Sequence, residues 1–479
     1  MGKGIYDKSK HKFIDTDDRE SEKDEEVREK IEDMTSEEEE DEVRGGSEEE
    51  VESEEKDSNE SEEEEEATEK SAERDERNSG LSIDEAKKTT SGRSLPLVLL
   101  IAIFVAVFMI VRPFNHDGQE GTKNENSSVE SSELGSGDVS VTIDGKTIKY
   151  AGAYVVDGVD TEINSGTYES TKDDEAVFLV INGGSLKIDG DVEINKTGSE
   201  DFQGRGDNYS FYGMNSAIVV VGEDSSASIN GATIKTDVSG ANAVVSTDGG
   251  EVVIEDSKIS TTKDNSRGLH ATYGGSINAS KVEISTLGGS CASLATDRGE
   301  GTIVADNMTL STAGAGSPLI YSTGSITVTD SKGTATGAQI AVVEGKNSIS
   351  LDGCDFSAYG NGNRKGIDNA GVMIYQSMSG DAGEGTGTFE ATDCTLAVLP
   401  ESEVYDETPF FFVTNTTAEI ELTDTEIDFS DSKQFISALG TSEWGKSGSN
   451  GGNVTLTASG LIVTNTKVEV DSISSVEGL

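Results

Sequence analysis

Cysteine, histidine, proline and tryptophan are nearly missing from this sequence, with 3, 3, 5 and 1 of them among 479 residues. The three cysteines, Cys291, Cys354 and Cys394, make no disulfide framework, and so small a count leaves the redox compartment open. No His-Cys metal spacing, glycine-rich phosphate loop or nucleophile elbow occurs. Basic side chains are scarce as well. Against 37 of them stand 92 acidic ones, a net charge of −55 that repels phosphate backbones and speaks against nucleic acid as a partner. Glycine is abundant, at 55 residues, and with this polarity the chain is not one ordinary compact domain.

The sequence therefore divides. Residues 1–90 hold 37 acidic and 15 basic residues, with runs at Glu37 to Glu40 and Glu62 to Glu66. Such a segment cannot bury enough apolar surface to offset chain entropy, so 1–93 is expected to be a disordered acidic tail. Ser94 to Val111 carries no charge, and Leu97 to Val111 is continuously apolar. As a helix this span is about 27 Å long, just enough to cross a bilayer. With no small-x-small cleavage pattern behind it, 94–112 is expected to be an uncleaved signal anchor, one transmembrane helix. Lys87, Lys88 and Arg93 precede it, and Arg112 and Lys123 follow. That excess predicts a cytoplasmic tail and a single-pass cell-membrane protein with its C-terminal part outside. Residues 113–138, rich in Ser, Glu, Asn and Gly, suit a flexible spacer.

A folded domain is expected over 139–479, because one short pattern recurs there: Ser185-Leu-Lys-Ile188, Glu251-Val-Val-Ile254, Ser276-Ile-Asn-Ala279, Ser348-Ile-Ser-Leu351, Glu419-Ile-Glu-Leu422. Its last positions Ile229, Ile254, Ala279, Ala305, Val328 and Leu351 are spaced by 25, 25, 26, 23 and 23 residues. Five residues later stands another apolar side chain, such as Ile234, Ile259, Ile284 or Phe356; Gly333 breaks this column, and Ile194 fits only with one inserted residue. Between the two lies a turn column of Gly231, Asp256, Asn307, Asp330, Gly353, Asp393 and Asp424, residues that favour tight turns. Short alternating strands at a period near 24, with no helical periodicity, describe a coil that stacks on itself. One coil turns some five aliphatic side chains inward, worth roughly 8–15 kcal/mol, against an ordering cost of roughly 1.5 kcal/mol per residue. No coil stands alone; stability is a nearest-neighbour sum. The same alignment makes Cys354 and Cys394 neighbours on adjacent coils, predicted to be free thiols that fill space as small apolar groups.

This pattern resembles the bacterial surface proteins built on a right-handed parallel β-helix, the pectate-lyase-like architecture also seen in adhesin and autotransporter passenger domains. The resemblance implies an all-β, three-sheet solenoid and, in many relatives, carbohydrate processing or cell adhesion. Fold alone does not choose between them.

Lyases of this architecture need an acidic calcium cluster with a basic residue on adjacent coils, and the hydrolases need paired aspartates with a supporting histidine. The repeat region offers one histidine, His270, at an ordinary strand position, and Asp173-Asp174-Glu175, which opens the first full coil and reads as a solvated turn or cap. No catalytic residue, metal ligand or cofactor is assigned, apart from weak Ca²⁺ binding at stacked Asp turns. Insertions at 198–214, 359–370 and 400–408 leave the coil at one corner and are expected to cluster. The first carries Phe202, Arg205, Tyr209, Phe211 and Tyr212, which read either as a ligand-contacting surface or as a lid covering the end of the solenoid; Trp444, at the other corner, is a second candidate contact or a loop anchor. The expected function is a non-enzymatic surface binding or adhesion module for glycan or protein, with a polysaccharide lyase or glycoside hydrolase as the alternative. A cleft with facing carboxylates and a basic residue would favour the enzyme, and a flat Ser/Thr-rich face adhesion. The apolar end at Val468, Val470, Ile473 and Val476 shows no polar cap, which leaves an unrecognised cap, an oligomer contact or a truncated chain.

Overall fold

The structure, a computed structural model, describes residues 4–7, 12–15, 135–199, 206–362, 368–377, 379, 381–429, 434–441 and 451–464. It has two units, residues 1–117 and 118–479. In the first, Gly4–Asp7 pairs antiparallel with Lys12–Asp15. The rest of the expected tail and the expected membrane helix lie outside the described residues. Among the described residues no helix is long and apolar enough to cross a membrane.

The second unit is an all-β parallel solenoid. It opens with an antiparallel pair, Gly137–Ile143 against Lys146–Asp157, and every later pairing is parallel between neighbouring coils. Each coil carries three strands, as in Glu251–Glu255, Lys258–Thr261 and Leu269–Ala271. First and second strands join in one sheet of 20 strands, and third strands build a sheet of 12. The union arises because Asp160–Ser170 and Ser185–Thr197 each run through both positions without a break. The implied three faces are present, two of them sharing a hydrogen-bonded sheet.

Alternation builds the core. In Glu251–Glu255, Val252 and Ile254 are buried while Glu251, Val253 and Glu255 face out. Val252 lies against Ile277, then Ile303, Ile326 and Ile349 on successive coils, and Ile234 against Ile259, Ile284 and Leu310. Gly333 keeps the register between Leu310 and Phe356; a Cβ there would come within 2.6 Å of the Leu310 carbonyl oxygen. The turn column also holds: Asp256, Asn307, Asp330, Asp393 and Asp424 and glycines 231 and 353 all have positive φ. Before the first strand a different constraint selects glycine. At Gly275 and Gly301 a Cβ would meet the carbonyl of the coil below at 2.2 and 2.5 Å.

The cysteines add to one expectation. Cys354 and Cys394 are free, packed in the apolar core and stacked on adjacent coils, as the register predicts, and they also do polar work. In that column Ser257 Oγ accepts from the Ala232 N–H (3.1 Å), Ser331 Oγ from Met308 (2.8 Å) and Cys394 Sγ from Cys354 (3.4 Å). The next corner repeats the device. Ser266 Oγ caps Ala241 (3.1 Å), Cys291 Sγ caps Ser266 (3.0 Å) and Ser317 Oγ caps Cys291 (2.9 Å). A buried N–H at a bend has no strand partner, so a small side-chain acceptor on the next coil supplies one. Thiol and hydroxyl serve alike.

Candidate functional site

The outer face of the third strands carries two parallel rows. One runs Leu179, Val219, Val245, His270, Ala295, Tyr321, Val342, Met373, Phe412. The other begins Ile181, Val221, Thr247 and, keeping the same register, continues through Thr272, Asp297, Thr323, Glu344 and Tyr375. Both start apolar; the first passes through His270 and Tyr321 and returns to apolar at Val342, Met373 and Phe412, while the second turns polar from Thr247 onward.

The apolar start is covered by the opening antiparallel pair and by helix α1 (Gly206–Tyr212), inside the first insertion. Tyr209, Phe211 and Tyr212 are only 1%, 9% and 4% exposed. The helix is pinned at many points. Tyr209 donates to Asp174 Oδ1 (2.7 Å), Tyr150 and Thr272 donate to the Tyr212 and Phe211 carbonyls (2.9 and 2.8 Å), and Tyr212 stacks on Tyr273 with centroids 5.2 Å apart. A ligand-contacting role needs exposed rings, so these three residues are corrected to a lid. Phe202, Arg205 and Trp444 lie outside the described residues. Asp173 and Asp174 do form a half-buried turn, and only Glu175 departs from the expectation by being buried: it accepts from Ser170 (2.7 Å) and Lys172 (3.0 Å), Asp173 accepts from the Ser199 N–H (3.0 Å), and Lys196 is buried beside them, its amine pushed down to about 8 by desolvation.

The polar stretch contains residues that strand patterning did not reveal. Arg267 Nη2 lies 3.4 Å from Asp297 Oδ2, His270 Nε2 lies 3.8 Å from the same oxygen, and Asp297 Oδ1 accepts from the Arg298 N–H at 3.0 Å. His270 is fully buried, and neither ring nitrogen has a hydrogen-bond partner. At 3.8 Å the approach to Asp297 is electrostatic only. Desolvation dominates and pushes the imidazole down to about 4, with Asp297 opposing and Arg267 adding to the fall. Burial pushes the Asp297 carboxyl up, but His270, Arg267 and the Arg298 N–H outweigh it and hold it below the usual range. His270 is therefore neutral and Asp297 ionised at neutral pH.

Two coils further, Glu344 is 1% exposed. Its Oε2 accepts from Tyr321 and from Tyr375 (2.7 Å), and its Oε1 from Ser377 and Ser379 (3.5 Å). Burial first, then Tyr375 and Glu344, push Tyr321 well above its ordinary value; burial and Glu344 do the same to Tyr375, with its hydrogen bond to Tyr321 opposing. At the rim Arg298 pairs with Asp381 of segment 376–385 and lies over the Phe211 ring, 3.9 Å from its centroid. One guanidinium thus joins the two covers.

On the other two faces the outward residues of the described strands are exposed or half-buried. Ser260, Ser285, Ser311, Thr334 and Ser357 stack coil on coil, as do Ser276, Thr302, Ser325 and Ser348. Beside the second ladder lies a shallow groove of about 430 Å³, with Glu300 and Lys346 paired at 2.7 Å on its wall. The second and third insertions meet as expected, Ser402 donating to Asn361 Oδ1 (3.2 Å), beside a hollow of about 440 Å³ lined by Thr336, Asn369 and Val404. Among the described residues no three His, Cys, Asp or Glu side chains converge as a metal site.

No protein-family model matches the chain, and no curated protein does. Among solved structures it is similar to the catalytic domain of a GH87 alpha-1,3-glucanase, a point variant in complex with tetrasaccharides, at 12% identity and a TM-score of 0.25. The match covers 63% of this chain and 64% of that one, just under two thirds of its length. Nothing about this chain's ligand follows from so low a score.

Proposed function

We propose that the chain is a surface-displayed binding module, its solenoid a right-handed β-helix held outside the cell by residues 94–112, with the acidic tail in the cytoplasm. The observation that supports it is the pair of faces on which Ser and Thr repeat in register, coil after coil. Ladders about 4.8 Å apart offer an extended partner the same hydroxyl contacts many times, and weak contacts in series add up. Outside residues 1–90 the chain holds 22 basic and 55 acidic residues, 22 − 55 = −33, which selects neutral or cationic partners, such as a neutral glycan or a basic surface protein. A glycan and matrix-protein array probed with the purified chain tests this; no retention above background on any feature defeats it. Protease on intact cells should remove material C-terminal to Val111 and spare the tail, and the reverse pattern overturns the topology.

One observation favours a second reading, a carbohydrate-active enzyme. Asp297 and Glu344 occupy one row two coil steps apart, about 10 Å along the stack, with Arg267 and His270 alongside. Inverting glycosidases hold their two carboxyls roughly 6.5–9.5 Å apart. Release of reducing ends from any polysaccharide, abolished in Asp297→Asn and Glu344→Gln, would establish it.

A further inference from the structure

We propose that the row beneath segment 376–385 is a binding site for a hydroxyl-rich ligand, and that Ser377 and Ser379 fill it in the structure as an intramolecular stand-in for a vicinal diol. The inference rests on the second reading above in treating the third-strand face as functional, and adds the ligand's chemistry and the gate.

Glu344 is a buried carboxylate whose partners among the described residues are hydroxyls, with no basic side chain among them. A buried charge persists only where donors replace its lost water. Two of these donors, Tyr321 and Tyr375, belong to the stack itself. The other two arrive from a segment between strands. Ser377 Oγ and Ser379 Oγ lie 2.6 Å from each other and both reach Glu344 Oε1. Neighbouring hydroxyls of a sugar ring or other polyol approach a carboxylate oxygen in the same paired way. Two coil steps along the row Asp297 offers acceptor oxygens, and in the neighbouring row the neutral His270 ring offers one acceptor nitrogen and one N–H donor.

The segment is built to leave. The Gln376 amide donates to the Ser377 and Ala382 carbonyls (3.1 and 3.3 Å), closing the tip on itself. The segment leaves from a backbone anchor, the Gln376 N–H donating to the Thr414 carbonyl (3.2 Å), and among the described residues beyond it the two serines reach Glu344 and Asp381 reaches Arg298 through side chains. Backbone anchoring resumes beyond the tip, where the Lys346 N–H donates to the Gly383 carbonyl (3.0 Å) and Thr416 Oγ1 to that of Gly385 (2.9 Å). Arg298 and Asp381 keep 33% and 19% side-chain exposure, so this latch is screened by water and salt. Opening the tip exposes Glu344, Tyr321 and Tyr375 while the coil stays intact.

Hydroxyl-radical footprinting of the full chain, read by mass spectrometry at Tyr321 and Tyr375, tests both parts. Asp381→Asn should raise oxidation of these tyrosines about two- to fivefold, the worth of a partly exposed ion pair. Ser377→Ala should act in the same direction should the first variant misfold, and Tyr168, in the core, serves as the internal reference. A pool of neutral oligosaccharides (maltotetraose, xylotetraose, cellotetraose, laminaritetraose) should restore the protection. Wild-type rates in both variants would make the segment a fixed cover and end the gate. Faster oxidation that no oligosaccharide slows would overturn the ligand assignment. Since footprinting reads occupancy and not cleavage, failure of the enzyme reading remains separately visible as missing reducing ends.

Discussion

The two halves of the third-strand face share one backbone register and differ in what covers them. In the first half Leu179, Val219 and Val245 meet the rings of α1, which is also pinned through backbone carbonyls. In the second half the neighbour row reaches Glu344, under a segment whose described tip residues hold on through side-chain hydroxyls and one ion pair, while the stretch of His270 and Asp297 between the two halves still touches α1 through Arg267 and Thr272. An apolar cover gains from every methylene it buries and stays; a polar cover exchanges its contacts for water at little net cost. The stack sets positions, and the chemistry of the cover decides whether a position is sealed or reachable.

The sharpest way to break this comparison is to put a charge in the sealed half. Val219→Asp places an unpaired carboxylate beneath α1 and should cost about 3–5 kcal/mol, visible as a large fall in the thermal midpoint. Glu344→Gln, in the other half, keeps shape and two tyrosine partners and should cost about 1–2 kcal/mol. Equal losses would mean that both covers are fixed alike.

A smaller effect concerns His270. Its imidazole lies at about 4 in the folded chain against 6.5 when unfolded, so the unfolded state takes up its proton first as pH falls. The stability linked to this residue is complete above pH 6.5 and declines towards pH 4, by about 3 kcal/mol in all. Asp297, held below its ordinary value, adds a loss only at lower pH still. Urea midpoints at pH 7.5 and 4.5 should separate strongly in the wild type and much less in His270→Leu; an unchanged separation would mean other groups carry the dependence.

How much of this was legible beforehand follows from period and direction. The coil length, the Asp and Gly turns and the Cys354–Cys394 register could be read because each depends on a residue and its equivalent about 24 positions away. The meeting of the second and third insertions followed from counting alone, whereas the first packs on the early third strands, away from them. The polar row was not legible: Asp297 and Glu344 stand at turn-like ends of short strands, where an acidic residue usually faces water, and only the folded covers bury them. Aromatic density in 198–214 pointed to the right face, but the described rings close it and contact no solvent-filled site. Listing the outward positions of the third strand as a column would have exposed the change from Val to His and Asp.

The corner caps offer a finer contrast, between a polar and an apolar change at one buried atom. Cys291→Ser keeps an acceptor for the Ser266 N–H and should change stability by less than about 1 kcal/mol, whereas Cys291→Ala leaves that N–H bare and should cost about 1–3 kcal/mol. Chemical denaturation of the two variants measures the difference, and an alanine variant as stable as serine would return the thiol to the role of filler.

The smallest stability effect belongs to the Ser/Thr-bearing faces, where it should part company with binding. Ser260, Ser285 and Ser311 sit on successive coils of the second strand and only partly cover one another. Replacing all three with Ala removes hydroxyls that solvent already satisfies, so the expected change is within about 0.5 kcal/mol per site. If the ladder is where an extended glycan or protein lies, the same triple variant should lose array binding several-fold, since three repeats of one weak contact vanish together. A triple variant on the first-strand ladder, at Thr302, Ser325 and Ser348, then tells which face is used. Loss on one face alone locates the partner, whereas full binding by both variants removes the hydroxyl ladders from the account and leaves the third face as the remaining surface of interest.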